Sequence, residues 1–384
     1  MKRIGILVSV ALLLCMVHAI AFAELLSIPI GTGTTEDKPQ SKLWFHDGDW
    51  WAIMPDGFHL YFYRMIDGIF VKQTSASAMV DIKNGARADV LSVEERLYVL
   101  IYKGTWSSFA EYTYDSGSKS YVRIGLAIPV KLAKGVESAT IARDSVGVLW
   151  VAYEAETNIY VIRSADHKTW SAPVKLNTTP VDPDDIADVI AFDHNKIGVM
   201  WSDHLAVNFA FRVHHDGDPV TVWDAEEVVS QGNDIADDHI HLAITPTQDI
   251  LAVTKSGTND TINFFIRWSG STEWIGPYKI TANATRPIVL YDEDNAEIYI
   301  FYTAVKTRYN PADKIVYKHL PIESLVGDLN AVSAAPVITL FEVAGVAVNN
   351  VTSTKDNVNA ETDIVVAAKG GTNAYYARIP VVVP

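Results

Sequence analysis

The chain has 384 residues, 49% of them hydrophobic, and 46 Asp and Glu against 31 Lys and Arg set a formal charge of −15. A balance this acidic argues against nucleic acid or an anionic membrane surface as a bulk electrostatic partner. Cys15 is the only cysteine, so no disulfide can form within the chain and stability has to come from burial.

The chain opens as a targeting segment. Lys2 and Arg3 precede an apolar run over residues 4–17, and Ala21-Phe22-Ala23 form a small-residue cleavage pattern before Glu24. The run is shorter than the ~20 residues that cross a bilayer. Residues 1–23 are therefore expected to be a signal peptide, cleaved near Ala23, with a secreted or periplasmic product that keeps no membrane anchor. Loss of Lys2 and Arg3 takes the charge from −15 to −17. The mature chain, 24–384, reads as one domain and as a monomer.

After a short apolar stretch at 25–30 and a Gly/Thr/Pro linker, one unit recurs seven times: an apolar strand, a polar turn, a second apolar strand. The copies lie at 43–54, 88–102, 140–153, 189–201, 240–255, 288–302 and 357–369. Most are followed by two further strand candidates, and the second strands lack in/out alternation, the mark of burial on both faces. Four antiparallel strands per unit at this period predict a seven-bladed β-propeller. The expected blades are 41–74, 86–126, 137–176, 186–230, 236–281, 284–341 and 349–383. The last is one strand short, so 25–30 is expected to pair with the C-terminal strand and close the ring. Residues 306–313 break the period as an expected loop, and 321–335 as an expected helical turn.

In such a blade the first strand starts, and the second ends, on the same face of the disc. Lys42, Arg87, Asp188, His239, Arg286 and Lys355 are thus expected as equivalents on one rim, with Asp89, Glu137 and Asp238 beside them and Trp201, Lys255 and Tyr302 at the second-strand ends. This set suits a polar or acidic ligand, since cations hold acidic groups and carboxylates accept hydroxyls. Within it, His239 is a candidate general base oriented by Asp237 or Asp238, Tyr302 an alternative base, Arg286 a carboxylate-neutralising cation, and Glu137 an acid or base. Lys42, Arg87, Asp89, Asp188, Trp201, Lys255 and Lys355 are candidate ligand-binding residues. No spacing of metal ligands accompanies them, so neither metal nor cofactor is expected. The acidic turns of the opposite face, such as Glu94-Glu95 and Asp193-His194-Asn195, read as solvated turns.

Ser164-Ala-Asp166-His-Lys-Thr169-Trp170 and Ser269-Gly-Ser-Thr-Glu-Trp274 resemble degenerate Asp-boxes, Ser-x-Asp-x-Gly-x-Thr-Trp, of the sialidase-like propellers. The first lacks the Gly and one residue; the second also lacks the Asp. The resemblance implies structural turns away from the active site. It does not carry sialidase activity, because no Arg-Ile-Pro opens the first blade and those enzymes have six blades. The wording of the mature chain is also similar to a group of secreted bacterial propeller proteins with no established activity.

Three functions fit this reading. One is recognition of a carbohydrate at the channel mouth. The second is an enzyme, either a polysaccharide lyase or a glycoside hydrolase working with His239, Arg286 and channel carboxylates. The third is a protein-interaction scaffold that uses the loop at 306–313.

Overall fold

A computed structural model describes residues 25–35, 38–75, 77–81, 87–230, 236–257, 260–307, 310–328 and 330–383. The expected signal peptide lies outside them. The chain forms seven antiparallel sheets around one axis, a seven-bladed β-propeller. Five sheets have four strands. The first two carry a fifth, Met79–Asp81 and Ile128–Lys131, each pairing with its blade's third strand beyond the fourth.

Strand position explains residue choice. Second strands such as Leu149–Ala155 and Ile250–Ser256 are buried at every residue, because neighbouring blades cover both of their faces. Further out, the third strand Asn158–Ser164 admits partial exposure at alternating positions. Bulky rings fill the wedges that open toward the rim: Trp44 lies parallel to Trp51 at 6.3 Å and donates Nε1–H to the Tyr121 hydroxyl at 2.8 Å. The degenerate Asp-box is a tight turn, in which Asp166 accepts the backbone N–H groups of Lys168 and Thr169 and the Thr169 hydroxyl.

Innermost strands have no fifth neighbour, so their inward backbone groups need partners elsewhere. The preceding blade supplies acceptors for them. Asp89 Oδ2 accepts Ile141 N–H at 2.8 Å, Thr140 Oγ1 accepts Val189 N–H at 3.2 Å, and Asp188 Oδ2 accepts Leu242 N–H at 3.1 Å. His241 Nδ1 accepts Val289 N–H at 3.3 Å, and the Ser41 carbonyl accepts Val90 N–H at 2.9 Å. Blade seven closes onto blade one through the Ser353 carbonyl, which accepts the N–H groups of Lys42 and Leu43, each at 3.2 Å. These contacts make a ring of latches.

The outer closure is as expected: Leu26–Pro29 pairs antiparallel with Asn373–Ile379 as the fourth strand of blade seven. The expected helical turn is present as Ile322–Leu325 and Ala331–Ala334, stitched to blade five by buried Lys318, which donates to the carbonyls of Ile280, Val332 and Ser333. The loop expected at 306–313 is instead the tip of a long hairpin, Glu297–Thr307 with Asn310–Pro321, and residues 308–309 lie outside the described ones.

Ile28 and Ile30, both buried, anchor the closing strand in the core of blades one and seven. Ile30→Ala is expected to cost about 2–5 kcal/mol, as large-to-small changes in packed cores do. The expected reading is a lower urea midpoint with an unchanged m-value; a midpoint equal to wild type would mean that the closing strand carries no stability.

Candidate functional site

The rim expected from the repeats is filled by the chain itself. After the closing strand, Thr35 Oγ1 donates to the Asn350 carbonyl of blade seven at 2.6 Å, and residues 38–40 stand at the mouth. There the Lys38 ammonium, almost completely buried, pairs with Glu137 Oε1 at 2.9 Å and with Asp238 Oδ2. Gln40 Nε2 then donates to the Ala139 carbonyl at 2.7 Å before the chain enters the first inner strand. What reads in sequence as a linker is a plug.

Around the plug the candidate catalytic groups pair with one another. His239 Nδ1 lies 2.6 Å from Asp237 Oδ1 and 2.6 Å from Asp238 Oδ1, and its Nε2 faces the Thr285 hydroxyl at 3.3 Å. Lys255 Nζ holds Asp237 at 2.9 Å and Asp260 at 3.1 Å. Burial pushes the His239 imidazole down to about 3, against the pull of Asp237, and the Arg286 and Lys38 charges reinforce the fall. A buried imidazole that is neutral and this weakly basic is poorly matched to general-base work at neutral pH. Tyr302 is packed in the core between blades five and six, and burial raises its phenol to about 12. Trp201 is packed in the core of blades three and four. Neither reaches the mouth, because both stand short of their strand ends, which run on to Asp203 and Thr307, and neighbouring blades cover both rings.

The expected common rim is resolved into separate depths. Arg87, His239 and Arg286 stand two residues before the latch positions of their strands, which are Asp89, His241 and Ile288. Asp188 is itself a latch, as is Asp89. His239 and Arg286 also stand in bulges, between Ala236 and Ile240 and between Thr285 and Ile288, the second marked by φ +52° at Arg286, whereas Arg87 has the same offset in a regular strand. Lys355 lies deeper still. From blade seven it crosses the axis to Asp89 Oδ2 at 2.6 Å and the Ile141 carbonyl at 2.8 Å, while Lys42 is buried with its ammonium 3.4 Å from Gln40 Oε1. Glu154 lies beneath the plugged mouth, 1% exposed, its two carboxylate oxygens without a hydrogen-bond partner among the described residues. Burial, then the charges of Asp185 and Glu137, push its carboxyl up to about 9.

Below the latch ring the channel opens on the other face as an axial pit of about 230 Å³. Pro39 and Ser41 form its roof, and Leu91, Val93, Val189, Ile190, Leu242 and Ile244 its walls. The polar groups lining it are Lys355, Asp356, Asp188 and His241, with Arg143 at the lip. Asp356 is exposed to the pit, and the rise of its carboxyl through desolvation is opposed by the Thr354 hydroxyl and the Lys355 charge. Through Arg143 and Ala191 the pit runs into a shallow groove formed by His194, Asn195, Lys196 and Gln248, and from there to the turn at Ser269-Gly270. Sequence reasoning missed Lys38, Arg143 and Asp356. Only the repeated placement of Asp89, Asp188 and His241 one residue before the latched N–H could have exposed the ring.

No family model matches this chain, and no curated protein does. Its likeness is to solved structures. Hydrazine synthase of Kuenenia stuttgartiensis aligns at 12% identity over 90% of this chain and 97% of that one, with a TM-score of 0.56. The WD40 domain of Toxoplasma gondii coronin aligns at 9% identity over 91% and 83%, with a TM-score of 0.53. Both show the propeller fold alone. A Hadza microbial sialidase, Hz136, aligns at 10% identity over 84% and 73% with a TM-score of 0.45, too loosely to carry the sialidase resemblance further.

His241 links the latch ring to pH. Its Nδ1 accepts a backbone N–H, and burial, with Lys355 nearby, pushes the imidazole from 6.5 down to about 3. Between those values the unfolded chain binds a proton that the folded chain does not, so stability falls as pH drops below about 6.5. His239 acts in the same direction, whereas Asp188, raised to about 7 by burial, acts oppositely between its ordinary value and neutrality. Relative to wild type, His241→Asn, which keeps an acceptor, is expected to lose on the order of 1–2 kcal/mol less between pH 7 and pH 5. Urea unfolding at the two pH values measures this; identical losses in both proteins would exclude His241 as a source.

Proposed function

We propose that the protein is an exported, non-catalytic carbohydrate-binding propeller that takes one sugar unit into the axial pit, with the rest of the glycan lying along the groove over blades three to five. The observation that carries this reading is the pit itself: aliphatic walls, a charged inner end, and one open end. Its volume of about 230 Å³ lies below the ~300–1,000 Å³ of pockets for drug-sized ligands and suits a single ring. Sugar hydroxyls can donate to Asp356 and accept from Arg143 and from the third N–H of Lys355, while the C–H faces pack on Val189 and Leu242. Both charge signs line the pit, which favours a neutral or singly acidic sugar over a polyanion.

The pairing of His239, Asp237, Asp238, Lys255, Glu137 and Lys38 among themselves weighs against a lyase or hydrolase at the plugged mouth. A glycan array probed with the secreted protein, followed by calorimetry on the best ligand, tests the reading. Ala191→Phe, which narrows the pit without touching a latch, and Asp356→Asn are each expected to weaken binding at least about tenfold, ~1.4 kcal/mol. His239→Gln is expected to bind as wild type. Binding that survives both pit substitutions but fails in His239→Gln would return the site to the other face. Turnover of a uronate polymer, seen as new ultraviolet absorbance, would replace binding with lyase chemistry.

A further inference from the structure

Three cations around the channel each meet a carboxylate: Lys38 with Glu137, Lys255 with Asp237, and Lys355 with Asp89. Arg143, half-buried at the lip of the axial pit, meets none. Among the described residues its side chain makes no hydrogen bond and no ion pair, and its Nε is enclosed without a partner. Nearby carboxylates are committed elsewhere. Asp144, next in sequence, accepts Trp150 Nε1–H at 2.9 Å and the Val148 N–H at 2.7 Å. Glu111, whose charge acts on Tyr98 as that of Arg143 does, faces His167 at 3.2 Å and Arg96 at 3.3 Å.

The guanidinium is nevertheless held in place. Its carbon lies 6.0 Å from the centre of the Tyr98 ring. Nη2 stands 3.2 Å from where a Cβ on residue 147 would be, so Gly147, at φ +91°, leaves room that a side chain would take. A planar fork without a counterion at a cavity mouth suits a carboxylate, which it can hold through two parallel N–H donors. The aliphatic walls of the pit lower the local dielectric and strengthen such a pair.

We infer that the sugar in the pit is a hexuronate at the non-reducing end of a glycan, its carboxylate held bidentately by Arg143. This rests on the pit being the sugar site. In a pyranose hexuronate, the carbon that bears the carboxylate and the glycosidic carbon both flank the ring oxygen. The three free hydroxyls lie on the opposite edge. With the carboxylate at the lip, that hydroxyl edge points to Asp356 and Lys355 at the inner end, and the glycosidic bond leaves toward the groove at His194 and Asn195. A unit inside a 4-linked polymer would instead drive its next sugar into the closed inner end.

Titration of the secreted chain with methyl hexuronides of the gluco, galacto and manno series, each against its neutral methyl hexoside and followed by ligand NMR, tests this. At least one hexuronide is expected to bind about tenfold or more tightly than its neutral counterpart. Arg143→Gln is expected to bring the two affinities together. Arg143→Lys is expected to restore only part of the difference, because a point charge cannot form the paired bonds. Melting temperatures matching wild type establish that both variants fold. Equal affinities in the wild type, with both sugars lost in Ala191→Phe, would overturn the hexuronate assignment and leave sugar binding in the pit standing. A preference that survives in Arg143→Gln would overturn the assignment too. Absence of binding by every one of these sugars would overturn the pit as a sugar site and the assignment with it.

Discussion

Every other feature of this molecule depends on the latch ring. A propeller leaves seven inner strands facing an axis with no further strand to pair them, and buried backbone N–H groups without acceptors are costly. Here Asp89, Thr140, Asp188 and His241 each reach one blade onward and accept the N–H of the next inner strand, while Ser41 and Ser353 do the same with their carbonyls. Those side chains hold the blades in angular register. They also put carboxylates and an imidazole in the middle of the protein, where charge must then be balanced.

The balance determines what the channel can do. Lys355 crosses from blade seven to Asp89, and its charge also acts on Asp188 and His241. Lys38 closes the mouth on Glu137 and Asp238. Breaking such a buried pair by removing one partner leaves an uncompensated charge, a loss of several kcal/mol, so these residues are constrained whether or not a ligand is present. A rim of mixed charge is therefore no evidence of chemistry in this fold. The open functional volume is displaced to the opposite face, where aliphatic walls meet the underside of the same charged layer.

The architecture was legible because its signals are local. Strand periods, polar turns and the missing fourth strand of the last unit are each written within about fifty residues, and together they predict seven blades closed by 25–30 pairing with the C-terminal strand. The site was not legible, and particular residues show why. His239 and Arg286 stand two residues before the latch level that Asp188 occupies, although all three sit in matching stretches of sequence. Trp201 and Tyr302, expected at strand ends, are followed by further strand residues, to Asp203 and Thr307, and blade packing covers both.

By itself the sequence determined the fold class, the blade count and the way the ring closes, because alternation, turn chemistry and repeat length act between near neighbours. Tertiary structure alone decided that Lys38 plugs the mouth, that Lys355 spans the axis, and that the accessible pit faces the turns. Each of those depends on contacts across the ring, such as Lys38 with Asp238 some 200 residues away and Lys355 with Asp89 at a separation of 266. A repeat fixes where its units stand, but which charges meet across an axis is set by the three-dimensional angle between blades that share no local pattern.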